Sequence, residues 1–282
     1  MRYTIQNADT ELTIDTHGAE IVSLKKNGKE RVWQNDDGTW SGHGPMLFPV
    51  CGRCTMVVDG IDRKISFHGF SSKRYFKLLE HGENFVRIAL QADERTKKVY
   101  PFDFTVIATY TLTDDTVFVE YEVKNPSNKP MYFSIGAHES YALDQSVGNY
   151  ELRFEKQEKL LHRFHGNDGR LSGKTKDYGE SDIFVLPADF LTEGNTLIFK
   201  DIQSRKLVLA EHGGKALAEI TFPDFSNLLL WHSKDSKFIC IEPWLNLPDS
   251  KATIKTEFSQ KDGVLCLPPK SAKRFVRSIR YF

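Results

Sequence analysis

The sequence is poor in the features that mark several common classes of protein. No apolar run approaches the ~20 residues that span a bilayer, and the opening residues Met1-Arg2-Tyr3-Thr4-Ile5-Gln6-Asn7 lack the hydrophobic stretch of a secretory signal. A cytoplasmic protein with no membrane partner is expected. Charge of one sign is missing too: 38 Lys and Arg balance 38 Asp and Glu, so no net field draws in a nucleic-acid backbone or an anionic surface. Neutral or small partners fit better. Only four residues are cysteine, too few for a disulfide scaffold in a chain of this size. Cys51 and Cys54 stand at Cys-x-x-Cys spacing, but Cys240 and Cys266 are isolated and supply no second pair. A packed turn is expected there, and no metal site. Sustained 3.6-residue hydrophobic periodicity is nearly absent, which removes the helical classes.

What is present is a succession of short β-branched and aromatic runs separated by Gly, Asn and Asp turns, the signature of an all-β chain. Phe104 to Leu112 and Thr116 to Val123 are joined by Thr113-Asp114-Asp115 and read as a hairpin. Further runs lie at residues 11–15, 19–25, 75–80, 84–91, 130–137, 149–154, 206–210, 216–222, 227–232, 237–243 and 273–281. These are too many for a seven-stranded sandwich, and a large two-sheet sandwich is the natural packing. Without low-complexity linkers or short repeats, residues 1–282 are expected to form a single domain. The least regular stretch, residues 156–196, is rich in His, Gly, Asp and Lys and reads as a long lid or binding loop.

Two strands end in residues that alternation makes unusual. In Phe238-Ile239-Cys240-Ile241-Glu242-Pro243-Trp244 a period of two puts Glu242 on one face with Phe238, Cys240 and Trp244. A carboxylate among apolar neighbours is costly, so either the strand end opens into a polar cleft, where desolvation raises the pKa and suits a general base, or Glu242 pairs with a surface lysine. In Met131-Tyr132-Phe133-Ser134-Ile135-Gly136-Ala137-His138 the histidine closes the small-residue face, and Gly136 and Ala137 leave room for a close approach. An isolated histidine is more often structural. A histidine and a carboxylate that met in one cleft would form a competent acid and base pair near neutral pH. Arg53 and His68 sit in polar loops beside aromatics and are candidate hydrogen-bond donors to a ligand. Trp33, Trp40, Trp231 and Trp244 fall near these segments, and an aromatic face next to such polar groups is what the apolar C–H face and polar edge of a sugar ring require.

Assembled in order, these segments resemble the aldose 1-epimerase (galactose mutarotase) family, in its divergent bacterial branch associated with lactose and tagatose utilisation. The likeness covers almost the whole chain. It rests on His17-Gly18-Ala19-Glu20-Ile21 with Ser23-Leu24, Trp33-Gln34, Pro45-Met46-Leu47-Phe48-Pro49 leading to Gly52-Arg53, His68-Gly69-Phe70, Tyr100-Pro101-Phe102, Gly136-Ala137-His138 and Cys240-Ile241-Glu242-Pro243-Trp244. The resemblance implies a β-supersandwich binding a free hexose, with Glu242 as general base, His138 as general acid, and Arg53 and His68 at substrate-binding positions. It implies α/β anomer interconversion by ring opening and closure, with no cofactor. At the position of the family's acidic residue that grips sugar hydroxyls stands Asn195, an amide able to bond hydroxyls without charge assistance. After His138, Glu139-Ser140-Tyr141 replaces the usual Pro and small residue, placing a second carboxylate next to the acid in sequence. Ser71-Ser72 stands where relatives continue with Ala and Arg.

Two other functions fit the same residues. A mutarotase or epimerase for hexose phosphates needs a cationic rim, for which Lys73, Arg74 and Lys174 are the candidates. A non-catalytic sugar-binding or sensing module would keep the sandwich and lose turnover.

Overall fold

The computed structural model describes residues 1–189 and 196–282. Among these, the largest sheet has 15 strands, and all its pairings are antiparallel. Its path begins at the short strands Met46–Leu47 and Gly136–Ala137. It then runs through Phe238–Trp244, Asn227–Trp231, Thr196–Phe199, Tyr150–His165, Lys206–Glu211, Ala216–Thr221 and Ala272–Tyr281. Thr116–Lys124, Thr105–Thr113, Phe85–Gln91 and Lys77–His81 complete it. Two strands lie off this path: Glu139–Ala142 pairs with Phe238–Trp244, and Leu171–Val185 with Tyr150–His165. A second sheet of four strands spans Arg2 to Glu30.

The long path folds back on itself, which the sandwich reading anticipates. Phe48, beside one end, packs on Phe104 at 5.1 Å between ring centroids, and Tyr141 faces Tyr281 at 6.2 Å. One apolar cluster, running from Ile5 to Tyr281, fills the space between the layers. The expected hairpin is present: Thr113 pairs with Thr116, and Asp114 adopts a positive φ of 51°, a conformation Asp tolerates in tight turns.

Two expectations need correction. The stretch read as a long loop is mostly a two-stranded arm, Tyr150–His165 against Leu171–Val185, with register shifts along its length. Within it the turn between these strands and residues 186–189 are loop, residues 190–195 lie outside the described residues, and residue 196 opens the strand Thr196–Phe199. The space beside Gly136 is not left open for a ligand. The indole of Trp244 occupies it, and a Cβ on Gly136 would collide with that ring.

Candidate active site

Alternation along Phe238–Trp244 divides its side chains as the sequence suggests. Ile239 and Ile241 join the main core, whereas Phe238 and Cys240 pack with Trp33, and Trp244 packs with Leu47, Cys51, Ile198 and Leu229. Glu242 stands between these two smaller clusters, on the face away from the core.

The neighbouring strand explains how His138 reaches it. Gly136 pairs with Trp244 and Glu139 with Ile241. In that constant register the residue two beyond Gly136 lies opposite the residue two before Trp244, so His138 faces Glu242 across one antiparallel ladder. Directly opposed residues of such a pair have Cβ atoms about 4.5–5.5 Å apart. The side chains close the remaining gap: His138 Nε2 is 3.2 Å from Glu242 Oε1, with side-chain exposures of 12% and 2%.

Glu242 is held at its other oxygen by Trp244 Nε1–H, which donates to Oε2 at 3.1 Å. Burial drives the carboxyl above the usual carboxylate range, and His138 and the indole N–H oppose this without reversing it. His138 Nδ1 is buried with no hydrogen-bond partner among the described residues. Glu139 does not support this imidazole by direct contact, although the two are adjacent in sequence. A period of two turns Glu139 to the core side, where it forms a buried ion pair with Arg277, which also donates to Tyr121 Oη at 2.9 Å.

His68 arrives from a loop with its backbone in the left-handed region, φ 56°, followed by Gly69 at φ 82°. A side chain on Gly69 would collide with the Phe48 carbonyl, so only glycine permits this turn. The His68 ring stacks on Trp244 at 5.2 Å and stands edge-on to His138 at 5.6 Å. The Gly52 N–H donates to its Nδ1 at 2.9 Å, so in the neutral ring Nε2 carries the proton. Burial, then the nearby His138, pushes its pKa well below the ordinary histidine value, and His68 is a neutral donor.

These groups line a cleft of about 390 Å³, inside the ~300–1,000 Å³ range of small-molecule sites. Trp40 and Trp231 wall it on one side, at 5.3 and 5.9 Å from the His138 ring. Trp33 supports them from behind, its indole N–H donating to the Trp40 carbonyl at 2.9 Å. His165, Gly169 and Thr196 also line it, as do Phe67, Ile198 and Leu229. His165 Nδ1 is 2.9 Å from the Gly166 carbonyl, which can only accept, so the neutral ring offers Nε2 as an acceptor. Sequence reasoning missed His165 and Gly169 as individual residues. The only signal was the density of His and Gly in the stretch containing them.

Of the sequence candidates, His138, Glu242 and His68 come together. Arg53 does not line the cleft. Its guanidinium lies 5.7 Å over the Phe67 ring and its Nε donates to the Asp168 carbonyl at 3.4 Å, in an adjoining cavity. Asn195 lies outside the described residues, immediately before the cleft residue Thr196. Lys73, Arg74 and Lys174 do not line the cleft either, and Arg74 is engaged with Asp93 at 3.5 Å. Donor atoms of His68, His138 and Glu242 lie within 4.8 Å of one another, close enough to surround a cation. The arrangement is better satisfied by protons: His138 Nε2 already faces a carboxylate oxygen, and the proton fixed on His68 Nε2 occupies its ligating lone pair. Cys51 and Cys54 are buried, and desolvation pushes the Cys54 thiol up to about 12.

A large antiparallel β-sandwich with such a cleft defines the galactose mutarotase-like class of folds. The chain belongs to the aldose 1-epimerase family, whose model matches residues 1–256. It is 31% identical over 267 residues to the chromosomal protein LacX of Lactococcus lactis subsp. lactis, covering 88% of this chain and 89% of that one. Its structure is similar to that of a galactose mutarotase-like protein from Lactobacillus casei, with TM-score 0.90, 26% identity and complete coverage of both chains. A galactose mutarotase related enzyme from Lactobacillus acidophilus shares the fold at TM-score 0.88 and 24% identity, over 100% of this chain and 97% of that one.

Proposed function

We propose that the protein, as one domain over residues 1–282, is an aldose 1-epimerase that interconverts the α and β anomers of a hexose. The observation that carries this reading is the approach of His138 Nε2 to Glu242 Oε1, 3.2 Å, on the wall of a cleft large enough for a pyranose. A sugar ring entering the cleft sets its C–H face against Trp40 and Trp231 and its hydroxyl edge against His68, His165 and Thr196.

Glu242 is suited to act as general base, because burial raises its proton affinity while leaving it a carboxylate when His138 is protonated beside it. It accepts the proton of the anomeric hydroxyl. His138, as imidazolium, gives its Nε2 proton to the ring oxygen, and the C1–O5 bond breaks to leave a free aldehyde. At this point Glu242 is a carboxylic acid and His138 a neutral imidazole. Rotation about C1–C2 presents the other carbonyl face, the 5-hydroxyl returns its proton to His138 as the ring closes, and Glu242 protonates the new anomeric oxygen. The protons balance over the cycle, and two positioned proton transfers of about 10²–10⁴-fold each account for a large acceleration.

Polarimetry of fresh α-glucose and α-galactose tests the proposal. The wild type should hasten the approach to equilibrium, and Glu242→Gln and His138→Asn should each slow it by about 10²–10⁴-fold while remaining folded. Equal rates for all three proteins would remove it.

A further inference from the structure

The two oxygens that the proposed reaction must serve, the anomeric hydroxyl and the ring oxygen, are bonded to one carbon, so the atoms that take and give protons have to stand side by side. His138 Nε2 and Glu242 Oε1 do so, 3.2 Å apart. A carboxylate, however, has a second oxygen of equal basicity and a plane that turns readily about its terminal bond. Its surroundings must break that symmetry.

Trp244 is the group in contact with the other oxygen. Its side chain is fully buried and does not line the cleft, so it reaches the base without touching a sugar. The indole nitrogen can only donate, and its N–H meets Glu242 Oε2 at 3.1 Å. Each group satisfies the other. The ring has little room to move: it stacks on His68 at 5.2 Å with 18° between planes, packs with Leu47, Cys51, Ile198 and Leu229, and fills the space beside Gly136. A Cβ on Gly136 would lie 2.2 Å from Trp244 Cδ2, and Gly136 has no positive φ, so its missing side chain serves the indole and not the backbone.

We propose that Trp244 is the positioning residue of the site: its N–H occupies Oε2 and fixes the carboxyl plane, which leaves Oε1, beside His138, as the oxygen that takes the anomeric proton. This rests on the epimerase reading of the cleft. The same ring sets the plane of His68, so one indole orients the base and a hydroxyl donor together. The bond also favours the ionised carboxylate against the burial that opposes it, and without it the carboxyl would keep its proton to a higher pH.

Trp244→Phe keeps a flat ring in the slot and removes the N–H. The other titratable groups about Glu242 are His138, His68, the buried thiols of Cys51 and Cys240, and His165 on the cleft wall, and all are unaltered in this variant. Two measurements on the full chain read the effect: the acid limb of kcat/KM for anomer exchange, and an infrared titration of the protonated carboxyl band that is lost in Glu242→Gln. Both midpoints should rise by about one to two pH units, as loss of one bond to a charged group implies, and exchange on that limb should slow about 10–100-fold with KM unchanged. Should the variant fail to fold, Gly136→Ala, which drives the indole from its seat, is expected to shift both midpoints in the same direction. A uniform loss of rate with the limb in place, or an infrared midpoint that stays or falls in a folded variant, would overturn the assignment. An infrared shift without any exchange by the wild type would uphold the hold on Glu242 and remove the epimerase reading.

Discussion

Glu242 carries the sharpest conflict between stability and chemistry. Its carboxyl is held above the ordinary range in the fold, chiefly by burial. Such a group favours the folded state at low pH, and that contribution is lost as pH rises through the raised value. Near neutrality the ionised side chain therefore opposes folding. Glu242→Gln keeps an acceptor for the Trp244 N–H and removes the charge, so it should raise the melting temperature while abolishing most turnover, by on the order of 1 kcal/mol or ~2–4 °C. Calorimetry at pH 7 checks this, and a lower melting temperature would show that the charge stabilises the site. The same direction of shift governs rate. In the proposed reaction the base must be ionised, so kcat/KM should decline on the acid side at a pH above the usual carboxylate range, a limb that a pH–rate profile of the wild type would reveal.

Behind the cleft, Glu139 and Arg277 tie the strand Glu139–Ala142 to the strand Ala272–Tyr281 across the core. Both side chains are buried, with exposures of 4% and 2%. Removing one partner strands the other charge, so Glu139→Leu alone should cost about 3–5 kcal/mol, whereas Glu139→Leu with Arg277→Met should come within ~1 kcal/mol of the wild type. Urea unfolding of the two variants distinguishes a charged clamp from simple packing. Strands such as Phe238–Trp244 were legible in the sequence because one face is apolar core and the other is set apart by a single carboxylate. The arm strand Leu171–Val185 was not, since nearly all its residues are exposed or half-buried and a strand without a buried face leaves no two-residue apolar rhythm. The same cause hid His165 and Gly169. Their place in the cleft depends on where a solvated arm ends, which local patterning does not encode. Arg53 illustrates the opposite limit: its loop was legible, but side-chain direction beyond Gly52 was not.

Considered as one body, the sandwich is closed by its last long strand. Ala272–Tyr281 lies beyond the residues matched by the family model, yet it pairs with Thr116–Lys124 on one side and Ala216–Thr221 on the other. On the path it is the one strand between these two neighbours, so it links the part of the sheet that holds Phe238–Trp244 to the part that ends at Lys77–His81. Truncation after Ser271 would open two ladders, remove Phe275 and Ile279 from the core and expose their neighbours, so the shortened chain should fail to give a cooperative thermal transition. A sharp melt from that fragment would show that the remaining strands can seal the core.

Because imidazole and carboxyl face each other as one rung between two strands, their meeting is a question of counting. Were either strand to slide by a single residue, its outward set would turn inward together, and a glutamate or a histidine would be pressed into oil while isoleucines met water. Misalignment thus cannot leave the fold well made and the pair merely displaced. Under the proposed reaction, turnover would double as a readout of whether the ladder has been threaded correctly.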